Sequence, residues 1–171
     1  MKSHINSLLS GTLLLLLFTI SIVQNVNLNE VNLCNQNDNC IQNLIIETKN
    51  PELCSQTINP SNCYKTSAYR FKNPKLCNQT QNSTNCIQNI ALQTNNITIC
   101  NFLTKEYFDN CIFQLATKTQ NFTYCNQSLN KERCYYSYAL TFQNISLCKK
   151  TNQYIQLCNK KLQNLFQNSQ N

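Results

Sequence analysis

Twelve cysteines fall into two interleaved series that share one period. The first runs Cys40, Cys63, Cys86, Cys111, Cys134 and Cys158, in steps of 23, 23, 25, 23 and 24 residues. The second runs Cys34, Cys54, Cys77, Cys100, Cys125 and Cys148, in steps of 20, 23, 23, 25 and 23. Five units start at residues 40, 63, 86, 111 and 134, and in each a second-series cysteine follows 14 positions later. A fixed period of this size marks a repeat array, in which one small unit stacks on its copies.

Other columns repeat in step. Five residues after the leading cysteine stand Ile45, Ala68, Ala91, Ala116 and Ala139; ten residues after it stand Asn50, Asn73, Asn96, Asn121 and Asn144. Leu53, Leu76, Ile99, Tyr124 and Leu147 directly precede the second cysteine. The Asn column has a mechanism. An Asn side chain accepts a hydrogen bond from an orphan N–H of a helix start, and Pro is favoured at the next position. Asn50-Pro51 and Asn73-Pro74 satisfy both rules. Asn59-Pro60, Asn82 and Asn130 repeat the device four residues ahead of the leading cysteines. Each unit therefore reads as two helices, one longer (Pro60 to Lys72, for example) and one of about two turns (Pro51 to Ile58). Cys63, Tyr64, Ser67, Ala68 and Phe71 share one face of the longer helix. Without glycine, Asn and other residues must close these helices.

Two regular disulfide pairings are open. Pairing inside a unit (Cys40–Cys54, Cys63–Cys77) strands Cys34 and Cys158. Pairing across the boundary joins sequence neighbours: Cys34–Cys40, Cys54–Cys63, Cys77–Cys86, Cys100–Cys111, Cys125–Cys134 and Cys148–Cys158. Geometry favours the second. Around a turn at Asn59, Cys54 and Cys63 stand at similar height. Around Asn50, Cys40 and Cys54 are offset by roughly six residues, or about 9 Å of helix, beyond the ~7 Å that a bridge spans. Each boundary bridge closes a loop of about ten residues and contributes on the order of 2.5–3 kcal/mol in the chain-entropy account. Helices of two or three turns do not persist alone. The expected fold is all-α: short helical hairpins stacked as a disulfide-stapled α-solenoid.

The start of the chain indicates compartment. Lys2 and His4 precede a run, residues 5–23, that is almost wholly apolar. This pattern is a secretory signal or a retained N-terminal membrane anchor, and both remain open because Ile22-Val23-Gln24-Asn25 offers no small-residue cleavage pair. The cation asymmetry favours the remainder of the chain outside the cytoplasm. Twelve cysteines in an exported chain read as disulfides. The expected organisation is a signal or anchor at 1–24, an N-terminal cap at 25–39, five hairpin repeats at 40–158, and a C-terminal helical cap or tail at 159–171.

Composition removes most chemistry. The one Gly and the one His, Gly11 and His4, both fall in the N-terminal segment. Glycine-rich phosphate loops, a nucleophile elbow, imidazole bases and Cys/His zinc sites are thereby excluded from the remainder. No cofactor or metal is implied. Six N-x-[ST] sequons occur, at Asn78, Asn82, Asn96, Asn121, Asn126 and Asn144. They are candidate glycosylation acceptors, yet 30 Asn residues make about this number expected by chance, and Asn96, Asn121 and Asn144, like Asn82, double as caps. Glu106 and Asp109 stand i, i+3, a conceivable catalytic pair, but acids at a helix start also answer the helix dipole. Lys149, Lys150, Lys160 and Lys161 form a basic end, read mainly as a solvated face although it could meet anionic polymer or lipid headgroups. No nucleic-acid module is present. Unit three carries a two-residue insertion within residues 102–108, and units four and five are rich in aromatics: Phe113, Phe122, Tyr124, Tyr135, Tyr136, Tyr138 and Phe142. At helical spacing these read as core rather than as a binding face.

The pattern C-[YI]-x-x-x-A followed by a cysteine about eight residues on, as in Cys134-Tyr135-Tyr136-Ser137-Tyr138-Ala139 ending at Cys148, resembles a cysteine-containing helical repeat of exported proteins in small-genome archaea. Cys63-Tyr64 with Ala68 and Cys77 follows it; Ile45 departs from the Ala position. The resemblance covers residues 31–158. It implies a secreted or surface-anchored helical repeat and no assigned chemistry. The expected function is a non-enzymatic extracellular or cell-surface repeat protein, binding or envelope-structural, whose partner is a protein or envelope polymer and not nucleic acid. Membrane attachment would run through residues 5–23. The alternative is a secreted effector or inhibitor acting on a partner protein.

Overall fold

The computed structural model describes residues 32–35 and 37–168. The apolar segment 5–23 and the leader expected at 1–24 lie outside the described residues, as does most of the cap expected at 25–39. The described residues are helical, with no strand among them. Six longer helices alternate with short 3₁₀ helices: α1 (Asp38–Thr48), α2 (Pro60–Phe71), α3 (Ser83–Thr94), α4 (Lys105–Lys118), α5 (Lys131–Thr141) and α6 (Ile155–Asn168). Between them lie η1 (Pro51–Gln56), η2 (Pro74–Gln79), η3 (Ile97–Phe102), η4 (Phe122–Gln127), η5 (Ile145–Lys150) and η6 (Asn152–Tyr154). The fold is thus an all-α repeat.

Two compact units divide between Tyr64 and Lys65, inside α2, where the repeat period alone indicates a single array. In the first unit Ile41 and Ile45 of α1 are fully buried together with Cys54. Cys40 is exposed there, whereas the other leading cysteines are buried. In the second unit α3, α4, α5 and α6 pack each on the next, and each also packs on the short helix before it. α3 buries Cys86, Ile87, Ile90 and Ala91; α4 buries Cys111, Ile112, Leu115 and Ala116; α5 buries Cys134, Tyr135, Tyr138 and Ala139. This i, i+1, i+4, i+5 stripe recurs because it covers one side of a helix. The alanines are completely buried, so no larger side chain holds the packed elements apart at that column.

The short elements are 3₁₀ rather than α-helices. Except for the three-residue η6, each spans six residues, which is two turns of that tighter helix. These five begin at the Asn column: Asn50, Asn73, Asn96, Asn121 and Asn144 accept from the backbone N–H two residues on, at 3.0–3.2 Å. Four of these residues also end the longer helices. The N–H groups of Asn73, Asn96, Asn121 and Asn144 donate to the carbonyls of Ala68, Ala91, Ala116 and Ala139, at 2.9–3.1 Å. The residue just before each, Lys49, Lys72, Asn95, Gln120 or Gln143, is left-handed, with φ between 50° and 53°. The helix end is therefore a Schellman-type stop built without glycine. One side chain opens the short helix while its own N–H closes the long one.

Longer helices start at Asn37, Asn82 and Asn130, whose side chains accept from backbone N–H groups in the first turn. Asn59 does the same through Asn62 N–H at 3.1 Å. α4 departs: Thr104 caps it without a side-chain bond. At the other end of the chain, α6 begins at Ile155, so the boundary expected after Cys158 falls inside a helix rather than between elements. The Cys158 side chain is buried, and α6 continues the helix through the residues expected to form a C-terminal helical cap or tail, as far as Asn168.

Candidate functional site

Six bridges join sequence-adjacent cysteines: Cys34–Cys40, Cys54–Cys63, Cys77–Cys86, Cys100–Cys111, Cys125–Cys134 and Cys148–Cys158. No cysteine is free. Cα atoms within each pair are 5.4–5.9 Å apart, inside bridging range. Each of the five later bridges ties the end of a short helix to the first turns of the following long one. A chain so densely cross-linked belongs to an oxidising, extracellular setting, because cytosolic thiols are kept reduced.

Glu106 and Asp109 lie one turn apart on α4 and line one groove. The Asp109 carboxylate is occupied by the loop before α5. Its Oδ1 accepts from the Ser128 hydroxyl at 2.8 Å and from Leu129 N–H at 2.6 Å, and its Oδ2 accepts from Asn130 N–H at 3.1 Å. Glu106 is exposed one turn earlier on α4. The Asp109 contact is one instance of a column that sequence reading missed: an acid two residues before the leading cysteine, binding the chain about 20 residues on. Asp38 accepts from Ile58 N–H at 2.9 Å. Glu132 accepts from the Asn152 side chain at 2.8 Å and from Gln153 N–H at 3.4 Å. Charge-assisted bonds to backbone N–H are stronger than neutral ones. The signal was present in Asp38, Asp109 and Glu132, at one place in the period.

The insertion in unit three has a structural consequence. α4 begins at Lys105, six residues before its bridged cysteine, whereas α3 and α5 begin three residues before theirs. The additional residues extend α4 by roughly 4.5 Å. Beside that extension a groove of about 360 Å³ opens between α4 and α5. Lys105 and Glu106 line it from the added turn. Asp109, Asn110 and Phe113 continue its wall along α4, and Arg133 and Ser137 line it from α5, so two carboxylates face two cations there. Lys105, Asn110 and Arg133 are exposed, and Phe113 and Ser137 are half-buried. Arg133 and Asn110 were not singled out from sequence, where each looks like one more polar residue on a helix face. Only the packing of α4 beside α5 joins them.

Of the aromatics, Tyr135 and Tyr138 are buried, as a core reading requires. Phe122 meets both at centroid distances of 6.4 and 6.2 Å, and Phe142 stacks on Tyr138 at 4.4 Å. Phe142 is exposed, and Phe113, Phe122, Tyr124 and Tyr136 are half-buried. Burial raises the Tyr138 phenol above its ordinary ionisation range. The Tyr135 hydroxyl donates to Asn126 at 2.7 Å. Lys150 is not simply a solvated charge: its ammonium lies 5.3 Å from the Phe122 centroid and 5.1 Å from that of Tyr135, within cation–π range. Lys149, Lys160 and Lys161 are exposed.

In three sequons the Asn and the hydroxyl residue act together. Thr98, Thr123 and Ser146 donate their hydroxyls to Asn96, Asn121 and Asn144 at 2.6–2.8 Å, beside the capping N–H bond. These are the short helices that lack the Pro of η1 and η2, so the N-x-[ST] spacing here adds a second donor to a cap. Asn82 caps α3, Asn126 accepts from Tyr135, and Asn78 is exposed within η2. Among the described residues no cluster of three or more His, Cys, Asp or Glu side chains is arranged to hold a metal, and no helix is long and apolar enough to cross a membrane. No known family, curated protein or solved structure matches this chain.

Proposed function

We propose that this protein is a non-enzymatic repeat module that works outside the cytoplasm, in a binding or envelope-structural role, held to the membrane by residues 5–23 where that segment is retained. The observation that carries the reading is the bridge in every hairpin, which suits a small-cored array to exposure outside the cell. A protein or an envelope polymer is the partner, and nucleic acid is not.

Surface labelling of intact cells, followed by fractionation and non-reducing peptide mapping, tests this. The expected result is labelled protein in the envelope or medium carrying linked peptides such as Cys77 with Cys86. Protein confined to the cytosol with free thiols would overturn it. Purified protein that cleaves an envelope polymer would overturn the non-enzymatic part.

A further inference from the structure

We propose that α6 lies against an anionic lipid bilayer, a contact with the membrane besides the one proposed for residues 5–23 and independent of whether that segment is retained. The first support is a departure from the repeat. One and five residues after the bridged cysteine, α3, α4 and α5 bury Ile87 and Ala91, Ile112 and Ala116, and Tyr135 and Ala139. α6 places Asn159 and Gln163 there. One residue before that cysteine and seven after it, α3, α4 and α5 carry only exposed polar or charged side chains, such as Asn85 and Gln93. α6 carries Leu157 and Leu165 there, 46% and 45% exposed. Its apolar residues thus stand at columns that face solvent, where the other helices have them at columns that face the stack. A further copy stacked as the next repeat would meet Asn159 and Gln163, so continuation of the array does not cover these leucines.

The second support is charge. Leu157, Lys161 and Leu165 stand at i, i+4 and i+8, one row along the helix, with Lys160 beside it. Both lysines are exposed, and α6 has no acidic residue. The Cys148–Cys158 bridge, with Cα atoms 5.6 Å apart, sets the exposed Lys149 near the start of this row. Glu132 reaches the same end, where it is bonded by Asn152 and Gln153, and residues 133–171 contain no Asp or Glu. Lysines interleaved with leucines on a convex helix face suit a bilayer, whose headgroups take the ammonium groups while the leucines enter the acyl boundary. A soluble polyanion would leave the leucines in water. The 14 residues of α6 span about 21 Å, short of the ~30 Å hydrocarbon core, so the helix lies on the bilayer rather than through it.

The test places oxidised, full-length protein on vesicles of equal parts phosphatidylglycerol and phosphatidylcholine, or of phosphatidylcholine alone, each doped with a photoactivatable lipid. Residues 5–23 can enter either vesicle, so the readout is the yield of lipid cross-links in peptides covering 155–168. On the anionic vesicles that yield is expected to be at least about tenfold higher than on the neutral ones. Lys160→Gln with Lys161→Gln should lower it at least about tenfold. Leu157→Gln with Leu165→Gln should lower it at least about fivefold with every charge in place. Lys72→Gln with Lys75→Gln removes two exposed charges elsewhere and should change it less than about twofold. Cross-links confined to residues 5–23, equal yield on the two vesicles, or equal loss in the two lysine variants would overturn the proposal. So would an unchanged yield in the leucine variant, since charge alone would then account for the contact. None of these outcomes bears on the extracellular reading, which surface labelling tests separately.

Discussion

α3 and α4 are neighbouring copies of one element, and they are held differently at both ends. α3 starts on an Asn82 side-chain cap and ends on Asn95 in the left-handed region. α4 starts at Thr104 with no side-chain cap and is followed by Gln120 in that region, a residue less suited to it. In return α4 carries Asp109, whose carboxylate holds the next loop with three bonds, where α3 has Thr84 at the equivalent place. The Lys118 ammonium near the end of α4 also donates to the Leu92 carbonyl of α3. α4 thus lacks a local side-chain cap and has contacts made along the array. Local devices stabilise a helix wherever it sits; contacts to the following loop stabilise only the stack.

The largest expected effect separates bridges from everything else. Full reduction should abolish helical circular dichroism throughout, because helices this short do not persist alone. A reduced protein that kept its signal and a cooperative melt would show that packing, not stapling, carries both helices. Removing single bridges sharpens the contrast. Cys77→Ser with Cys86→Ser and Cys100→Ser with Cys111→Ser should each cost about 3 kcal/mol. The second should raise amide exchange over the start of α4 more than the first does over α3, since Asn82 still caps α3. Equal exchange at the two helix starts would mean that the cap difference has no energetic weight.

Next in size is the carboxylate. Asp109→Ala should cost about 2 kcal/mol in a denaturant melt, because it removes three hydrogen bonds from the following loop to a charged acceptor. Thr84→Ala, its counterpart on α3, should stay within about 0.5 kcal/mol. A smaller effect reverses the sign between the helices: Asn82→Ala should cost about 1 kcal/mol and Thr104→Ala almost nothing. Smallest is the helix stop. Gln120→Gly should stabilise by about 0.5–1 kcal/mol by relieving a left-handed non-glycine residue, and Asn95→Gly by less, since Asn tolerates that conformation. A loss in both would mean that those side chains make contacts worth more than the strain they carry.

Much of this was legible in the chain because it is local and periodic. The Asn columns at 50, 73, 96, 121 and 144 specify helix starts through a bond spanning two residues, so spacing alone displays them. The bridging pattern follows from helix rise and turn position, and the apolar stripe at Cys86, Ile87, Ile90 and Ala91 from 3.6-residue periodicity. That the short helices are 3₁₀ was not legible, since six residues from an Asn cap suit either helix. The second use of four of these Asn residues, closing the helix before each, also escaped notice. It resides in the backbone N–H, which every non-proline residue carries, so no side-chain pattern advertises it.

The candidate site divides along the same line. Glu106 and Asp109 were visible as a pair at helical spacing, and the insertion near them was visible as a break in period. That Asp109 is bound by Ser128, Leu129 and Asn130, and that Lys105 and Arg133 line one groove, depended on how α4 and α5 meet. The sequence determined by itself what lies within one unit: helix starts, apolar faces and which cysteines stand within reach, because these interactions act over a few residues. Tertiary structure decided which carboxylate was already committed and which cations shared a surface. Both depend on distances between groups about 20 or more residues apart, which spacing does not encode until the helices have packed.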